Sequence, residues 1–532
     1  MATDAPATPP WLAALAAGAL WFATAAPASS LGEPPTGLGV VGEVGVVLLL
    51  ASVGWRRTAA AAWLAVFAFQ LVRMTSQLAM AEEGLLIDLL WLLGHVWVLA
   101  DDWVGLWRLP ALGLLLAALA LSGAVASRLL RVGSDHPRVL RGIGLALVLV
   151  SFLPFAPGGW VTLVLVANLS ASAELLQDDQ ALVQEALDHA DPYPAGPDAP
   201  DVHLYVVESY GALLFRDRSI AGPHKGLLED LQPRLEADGW SIASGLSLAP
   251  VSGGRSWIAD ASVLLGTPVA HETSYRRLMG LADTLPHLPA WFEGAGYHTV
   301  LVRPKDRERP GVELENPLAF DETVFFADLD YEGPRLGWGW VPDQYTLGWL
   351  REEVFPGETQ RPSFVFTHLV TAHVPWRAPP YLVEDWRTLG TPTDEGAPTE
   401  DRTVAEEIGF HLHRFRRGPQ GLGADLRSYM QEGDPARQYR KVIAYDLRAL
   451  TRHTLALEAE RPMVVVWMGD HAPPGITARH SFAVPVHVMA TDPALLEPFL
   501  ERGFAPGLFP PGKPALGHHE LYEPLTELVP RD

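Results

Sequence analysis

Apolar positions fall into two regimes along the chain. Up to residue 170 they form long blocks, and the stretches near 11–28, 37–54, 58–81, 109–127 and 139–157 each approach the roughly 20 residues that cross a hydrocarbon core. They predict an N-terminal bundle of about five transmembrane helices over residues 1–170. From residue 201 the blocks shorten. Apolar runs near 202–207, 298–302, 363–368, 463–468 and 484–489 read as strands, with helical patterns near 257–265, 286–295 and 437–459. Such alternation predicts a doubly wound α/β domain over 201–532. The acidic, proline-rich residues 171–200 read as a short helix and a linker, and 385–436, rich in charge, Gly and Pro, as an insertion or lid.

Charge divides the chain at the same place. Residues 1–170 hold eight arginines, no lysine and nine acids, so nearly all of the net charge of −23 lies beyond them. Arg56 and Arg57 separate the second and third stretches, and Arg128, Arg131, Arg138 and Arg141 separate the fourth and fifth. Basic loops stay in the cytoplasm, which places the domain after the fifth span on the periplasmic or exterior side of a bacterial inner membrane. The apolar segment Gly84 to Trp107 carries Asp88, His95, Asp101 and Asp102, and reads as an interfacial or re-entrant helix on the outer side. An acidic domain without a basic stripe excludes nucleic acid as a partner.

Chemistry concentrates at strand ends. The run Met463-Val-Val-Val-Trp-Met468 stops at Gly469 and presents Asp470 and His471 side by side. A second run, Val202 to Val207, ends on Glu208 ahead of Gly211. Ligands of such sheets bind beyond the carboxyl ends of the strands, so these acids can meet at one edge. Between the two strands, Ser252-Gly-Gly-Arg-Ser256 leads into a helical stretch closed by Gly266. A hydroxyl at a helix start lies in a field that favours phosphoryl or sulfuryl anions, with Ser256 and Ser252 as competing nucleophiles. The chain has no cysteine, which leaves oxygen and imidazole as donors to any metal.

In these motifs, and in their order over 201–490, the chain resembles the alkaline phosphatase and sulfatase superfamily, and within it the lipoteichoic acid synthase-like membrane phosphotransferases. The resemblance implies Glu208, Ser256, Asp470 and His471 as ligands of one divalent metal, Mn²⁺ foremost, with Zn²⁺ or Mg²⁺ as alternatives. It implies Ser256 as the nucleophile, where the family has threonine. Thr367 to Trp376 resembles the substrate-contacting segment, which makes His373 a substrate-binding candidate along with Trp376. Arg255, Arg303 and His480 are further candidates for anion or substrate contact, and Tyr439 to Asp446 resembles the helix before the last metal strand. The C/S-X-P-X-R motif of formylglycine sulfatases is absent at both serines.

The expected activity is transfer of a phospho head group, phosphoglycerol or similar, from a phosphatidylglycerol-like lipid to an envelope glycan or lipid through a phospho-Ser256 intermediate. A phosphate- or sulfate-ester hydrolase uses the same residues with water as acceptor. A catalytically silent lipid- or glycan-binding relative is the third reading, which the intact ligand set opposes.

Overall fold

The computed structural model describes residues 9–29, 41–80, 85–89, 108–151, 161–196, 198–308, 314–334, 336, 340–355, 361–374, 376, 381–392, 435–458, 461–474, 476 and 482–530. The chain divides into two compact units, Met1–Gln177 and Asp178–Asp532.

The first unit is helical: α1 (Pro10–Ser29), α2 (Val41–Ser52), α3 (Arg56–Met80), α4 (Arg108–Ser134), α5 (Pro137–Ser151) and α6 (Val161–Leu187), the last running on into the second unit. Its interior is built largely from small side chains, among them Ala17, Ala51, Ala59, Ala60 and Ala126, with Leu20, Leu48 and Trp63. Gly45 and Gly144 let α2 and α5 touch, since a Cβ on either would come within 2.7 to 2.9 Å of the other's carbonyl oxygen. Large apolar side chains instead face outward, as at Trp11, Phe22, Leu116, Leu121, Leu145 and Leu149.

All five predicted stretches contain a helix. Among the described residues, one helix is long and apolar enough to cross a membrane, at Leu116–Ser134. The helix α3 has the length but spreads Arg, Thr, Ser and Gln along it, and α1 is apolar only over Pro10–Ala23. The ends of the predicted stretches 37–54 and 139–157, and most of 84–107, lie outside the described residues. The expected short helix in 171–200 is the end of α6, which begins ten residues earlier.

The second unit is a nine-stranded mixed sheet between two layers of helix. The strands are β1 (Asp201–Val207), β2 (Ser241–Leu248), β3 (His298–Arg303), β4 (Glu322–Phe325), β5 (Ser363–Leu369), β6 (Met463–Gly469), β7 (Ala483–Ala490), β8 (Ala505–Pro506) and β9 (Pro514–Gly517). Their order is β4-β3-β5-β1-β6-β7-β2-β8, with β9 beside β2. β4, β3, β5, β1 and β6 are parallel; β7 runs against both β6 and β2. Two reversals restore the direction, so β2 ends at the same edge as β1, β5 and β6.

The central strands are apolar throughout because both faces are covered. Val202, Leu204 and Val206 enter one core with Phe364, Val464 and Ile258, while Tyr205 and Val207 enter the other with Val365, Trp467 and Leu231. The first core is closed by α8 (Ser256–Leu265) and α10 (Leu288–Gly294). The second is closed by α7 (Ala221–Ala237), α11 (Asp343–Glu353) and α12 (Pro435–Thr454), with α9 (Glu272–Met279) following α8 in the chain. Residues 393–434 of the expected insertion lie outside the described residues.

Candidate metal centre

β1 lies between β5 and β6, so the segments leaving their carboxyl ends are neighbours. Val207 pairs with Gly469 on one side and Leu369 on the other, which sets Glu208, Asp470 and Val370 next along three adjacent strands. Two glycines let the outer segments close on each other. A Cβ on Gly469 would stand 2.0 Å from the Tyr210 carbonyl oxygen, and one on Gly211 would stand 2.7 Å from Pro473 Cδ. Tyr439 of α12 braces the same turn: its hydroxyl donates to the Ser209 carbonyl at 2.8 Å and accepts from the Gly211 N–H at 3.0 Å.

The third contributor comes from β2. After that strand the chain turns through Gly253 and Gly254, both at positive φ, and enters α8 at Ser256. The Gly253 N–H donates to the Ala472 carbonyl at 2.9 Å, which ties this turn to the segment after β6. Two residues other than glycine are left-handed here, Arg255 at φ 65° and Ser209 at φ 59°. Each costs about 1 to 3 kcal/mol unless its surroundings impose it, and such strain collects at functional sites.

Four side chains converge at this edge. Ligand atoms of Glu208, Asp470 and His471 lie within 4.8 Å of one another, all buried. His471 Nε2 is 3.4 Å from Glu208 Oε1 and 3.3 Å from Asp470 Oδ2. The Ser256 hydroxyl donates to Glu208 Oε2 at 3.2 Å and lies 3.4 Å from His471 Nε2. Asp470 Oδ1 accepts from the Ser209 and His471 N–H groups, both at 2.7 Å, whereas Asp470 Oδ2 has no hydrogen-bond partner.

Three residues that the motifs did not single out complete the cluster. His368, fully buried at the end of β5, places Nε2 3.5 Å from Glu208 Oε2 and 3.8 Å from Asp470 Oδ2. Its Nδ1 is 3.1 Å from both oxygens of Asp260, which in turn pairs with Arg303 at 3.5 Å. Lys305 Nζ stands 3.8 Å from Glu208 Oε2. Asp260 is one helical turn after Ser256, a spacing that puts both on one face of α8.

Electrostatics follow from this crowding. Burial opposes charge on Glu208, but His373, His368, His471 and Lys305 outweigh it and hold the carboxyl well below its usual range. Burial and the Glu208 charge push Asp470 up. Burial works against charge on His368 as well, yet Asp260 raises it to about 9. His373, half-buried, is lowered by burial although the Glu208 charge opposes this.

The other expected residues fall in different places. Arg255 is buried directly before Ser256, and burial lowers it to about 10 despite the charge of Glu272. Arg303, expected to contact substrate, is engaged by Asp260 and Asp306. Trp376, also expected to contact substrate, is in the second core: its ring lies 5.1 Å from that of Tyr439 and its Nε1 donates to the Ala372 carbonyl at 2.8 Å. Ser252 is fully buried in the turn before α8. His480 lies outside the described residues.

No protein-family model matches the sequence, and no curated protein matches it. The chain is similar to the integral membrane lipooligosaccharide phosphoethanolamine transferase A of Neisseria meningitidis, at 13% identity and a TM-score of 0.49, over 97% of this chain and 95% of that one. It is similar to the lipoteichoic acid synthase LtaP of Listeria monocytogenes at 13% identity and a TM-score of 0.32, over 59% of this chain and 70% of that one. A protein in the alkaline phosphatase superfamily from Vibrio parahaemolyticus is similar at 14% identity and a TM-score of 0.32, over 59% and 68%.

Proposed function

We propose that the protein is a membrane-anchored, metal-dependent transferase that moves a phospho head group from a lipid donor to an envelope acceptor through a covalent Ser256 intermediate. The observation that carries this reading is the convergence of the Ser256 hydroxyl, at the start of α8, with Glu208 and His471 at 3.2 and 3.4 Å. The outward-facing apolar side chains of the first unit and the helix Leu116–Ser134 support the anchor.

The divalent metal implied by the sequence resemblance suits these residues. All the donors are oxygen or imidazole, they are buried, and Asp470 Oδ2 has no hydrogen-bond partner. Glu208, Ser256, Asp470 and His471 would hold the ion, Mn²⁺ being the one the resemblance favours. When bound it supplies positive charge beside the nucleophile and the transferring phosphoryl group.

The chain's own groups divide the remaining work. The start of α8 turns backbone N–H groups and its positive end toward the phosphoryl oxygens. Ser256 Oγ attacks phosphorus, the Oγ–P bond forms as the P–O bond to diacylglycerol breaks, and the departing oxygen takes a proton. His373 is the candidate donor of that proton, and Lys305, 3.8 Å from Glu208 Oε2, is a candidate cation for the phosphoryl group. The proton that Ser256 loses as it attacks balances the one the departing oxygen takes; an acceptor hydroxyl then attacks the same phosphorus, gives up its proton, and Ser256 Oγ leaves and is reprotonated.

The test uses the full-length protein in detergent with Mn²⁺ and phosphatidylglycerol labelled in its head group. Wild type is expected to acquire a head-group mass on Ser256 and release diacylglycerol. Ser256→Ala should lose both, with turnover down on the order of 10³-fold or more. Diacylglycerol formed equally by Ser256→Ala overturns the reading.

A further inference from the structure

Ser256 is presented by a turn that the backbone does not favour. Arg255, directly before it, is left-handed at φ 65°, a region that suits glycine better than a residue with a Cβ. The same residue opens α8, because its carbonyl accepts from the Ile258 N–H at 2.9 Å. Arg255 is also buried, so its long side chain is packed within the fold. A buried guanidinium needs a fixed counter-charge, and α9 supplies one.

Glu272, in the first turn of α9, is 1% exposed. Its two oxygens are held separately: Oε2 accepts from the Trp257 Nε1–H and Oε1 from the Arg276 Nε–H, both at 2.8 Å. Trp257 follows Ser256 in the chain, so one of these bonds fixes the carboxylate beside the nucleophile's own turn. Its charge acts on Arg255 and opposes the loss of the guanidinium proton that burial promotes. Glu272 thus engages the residues on both sides of Ser256, by a hydrogen bond after it and by charge before it. We propose that Glu272 is a positioning residue for the nucleophile: it anchors Arg255, and through Arg255 the left-handed entry to α8 that sets Ser256 Oγ 3.2 Å from Glu208 Oε2 and 3.4 Å from His471 Nε2. The inference rests on the Ser256 reading above and assigns the support of that serine to a helix outside the cluster.

The test measures label on Ser256 and steady-state turnover in the full-length protein, in detergent with Mn²⁺ and head-group-labelled phosphatidylglycerol. Glu272→Gln keeps an oxygen for the Trp257 indole and removes the charge that holds Arg255. A displaced nucleophile slows the chemical step, so kcat should fall about 10- to 100-fold with KM within about twofold of wild type. Glu272→Asp, which keeps the charge on a shorter stem, should fall less, and it replaces the glutamine variant in the comparison below if that one does not fold. Arg255→Gly removes the anchored side chain and accepts the left-handed φ, and adding Glu272→Gln to it should slow turnover no further. Effects that multiply in the double variant overturn the proposal, since Glu272 would then act by another route. A wild-type kcat in Glu272→Gln overturns it as well. If wild type itself carries no label on Ser256, the Ser256 reading falls and this inference falls with it, an outcome distinct from the other two.

Discussion

At the scale of single residues, two glycines set how closely the donor segments approach. Gly469 has no room for a Cβ, since the Tyr210 carbonyl oxygen would stand 2.0 Å from it. That contact is with backbone, which cannot rotate away. Gly469→Ala is therefore expected to cost about 1 to 3 kcal/mol of stability and to weaken metal binding by separating Asp470 from Glu208. A melting temperature and a Zn²⁺ affinity both equal to wild type would show that the strand end yields more easily than its packing implies. The glycines after Glu208 and before Asp470 were legible in the sequence as strand ends. So were Ser256 and its helix, because a glycine-rich turn before an apolar helical run is a local pattern. His368 was not. It sits inside the run Phe364 to Leu369, where a buried histidine looks like filling, and its meaning comes from Asp260, 108 positions earlier in the chain. Arg303 also draws its setting from Asp260, with which it pairs at 3.5 Å.

At the scale of elements, α11 and α12 share a buried carboxyl pair. Asp343 Oδ1 accepts from the Val370 N–H at 2.8 Å and the Thr371 N–H at 3.2 Å, which holds the turn between β5 and His373. Asp446 of α12 is fully buried, and neither of its carboxyl oxygens has a hydrogen-bond partner. Burial and the Asp343 charge push Asp446 well above the carboxylate range. A raised native pKa means the folded state holds a proton that the unfolded chain releases. Its stabilising effect is complete below about pH 4 and declines at about 1.4 kcal/mol per pH unit until the native group titrates. Asp446→Asn, which is uncharged at every pH, should lose less stability as pH rises above 5. Parallel melting curves for the two proteins would exclude Asp446 as the titrating group. Elements were also unevenly legible. Strands β1, β5, β6 and β7 announce themselves because they are buried on both faces. β2, with the sequence Ser-Ile-Ala-Ser-Gly-Leu-Ser-Leu, mixes small polar residues into the same burial and was passed over, as were the short edge strands β4, β8 and β9. The direction of β7, which runs against β6 and β2, cannot be read from apolar content.

At the scale of the whole molecule, the second unit buries several histidines in the neutral form. Desolvation lowers His203 to about 4 and His224, His453 and His487 to about 3. His487, for example, is spent on Ser244 and Tyr210, at 2.7 and 2.9 Å. In the unfolded chain these groups take up protons near pH 6.5, so acid favours unfolding. Stability should be complete above that pH and fall toward pH 4, each histidine contributing a slope of about 1.4 kcal/mol per pH unit. Calorimetry of the full-length protein at pH 7, 6, 5 and 4 measures it, and a flat melting temperature would mean the rings are protonated within the fold. The two-unit layout was legible because hydropathy and charge change together near residue 170.

The edge that gathers Glu208, Ser256, His368, Asp470 and His471 draws on chain positions up to 263 apart. During synthesis no nascent fragment shorter than 471 residues carries all five groups, and the last two follow β6, which lies between β1 and β7. An ion captured with full affinity is thus a receipt for finished folding, and it would drain the unfolded population by mass action in proportion to its free concentration. Under the proposed metal dependence, metal supply would govern how much of the protein survives quality control, separately from how fast each molecule turns over.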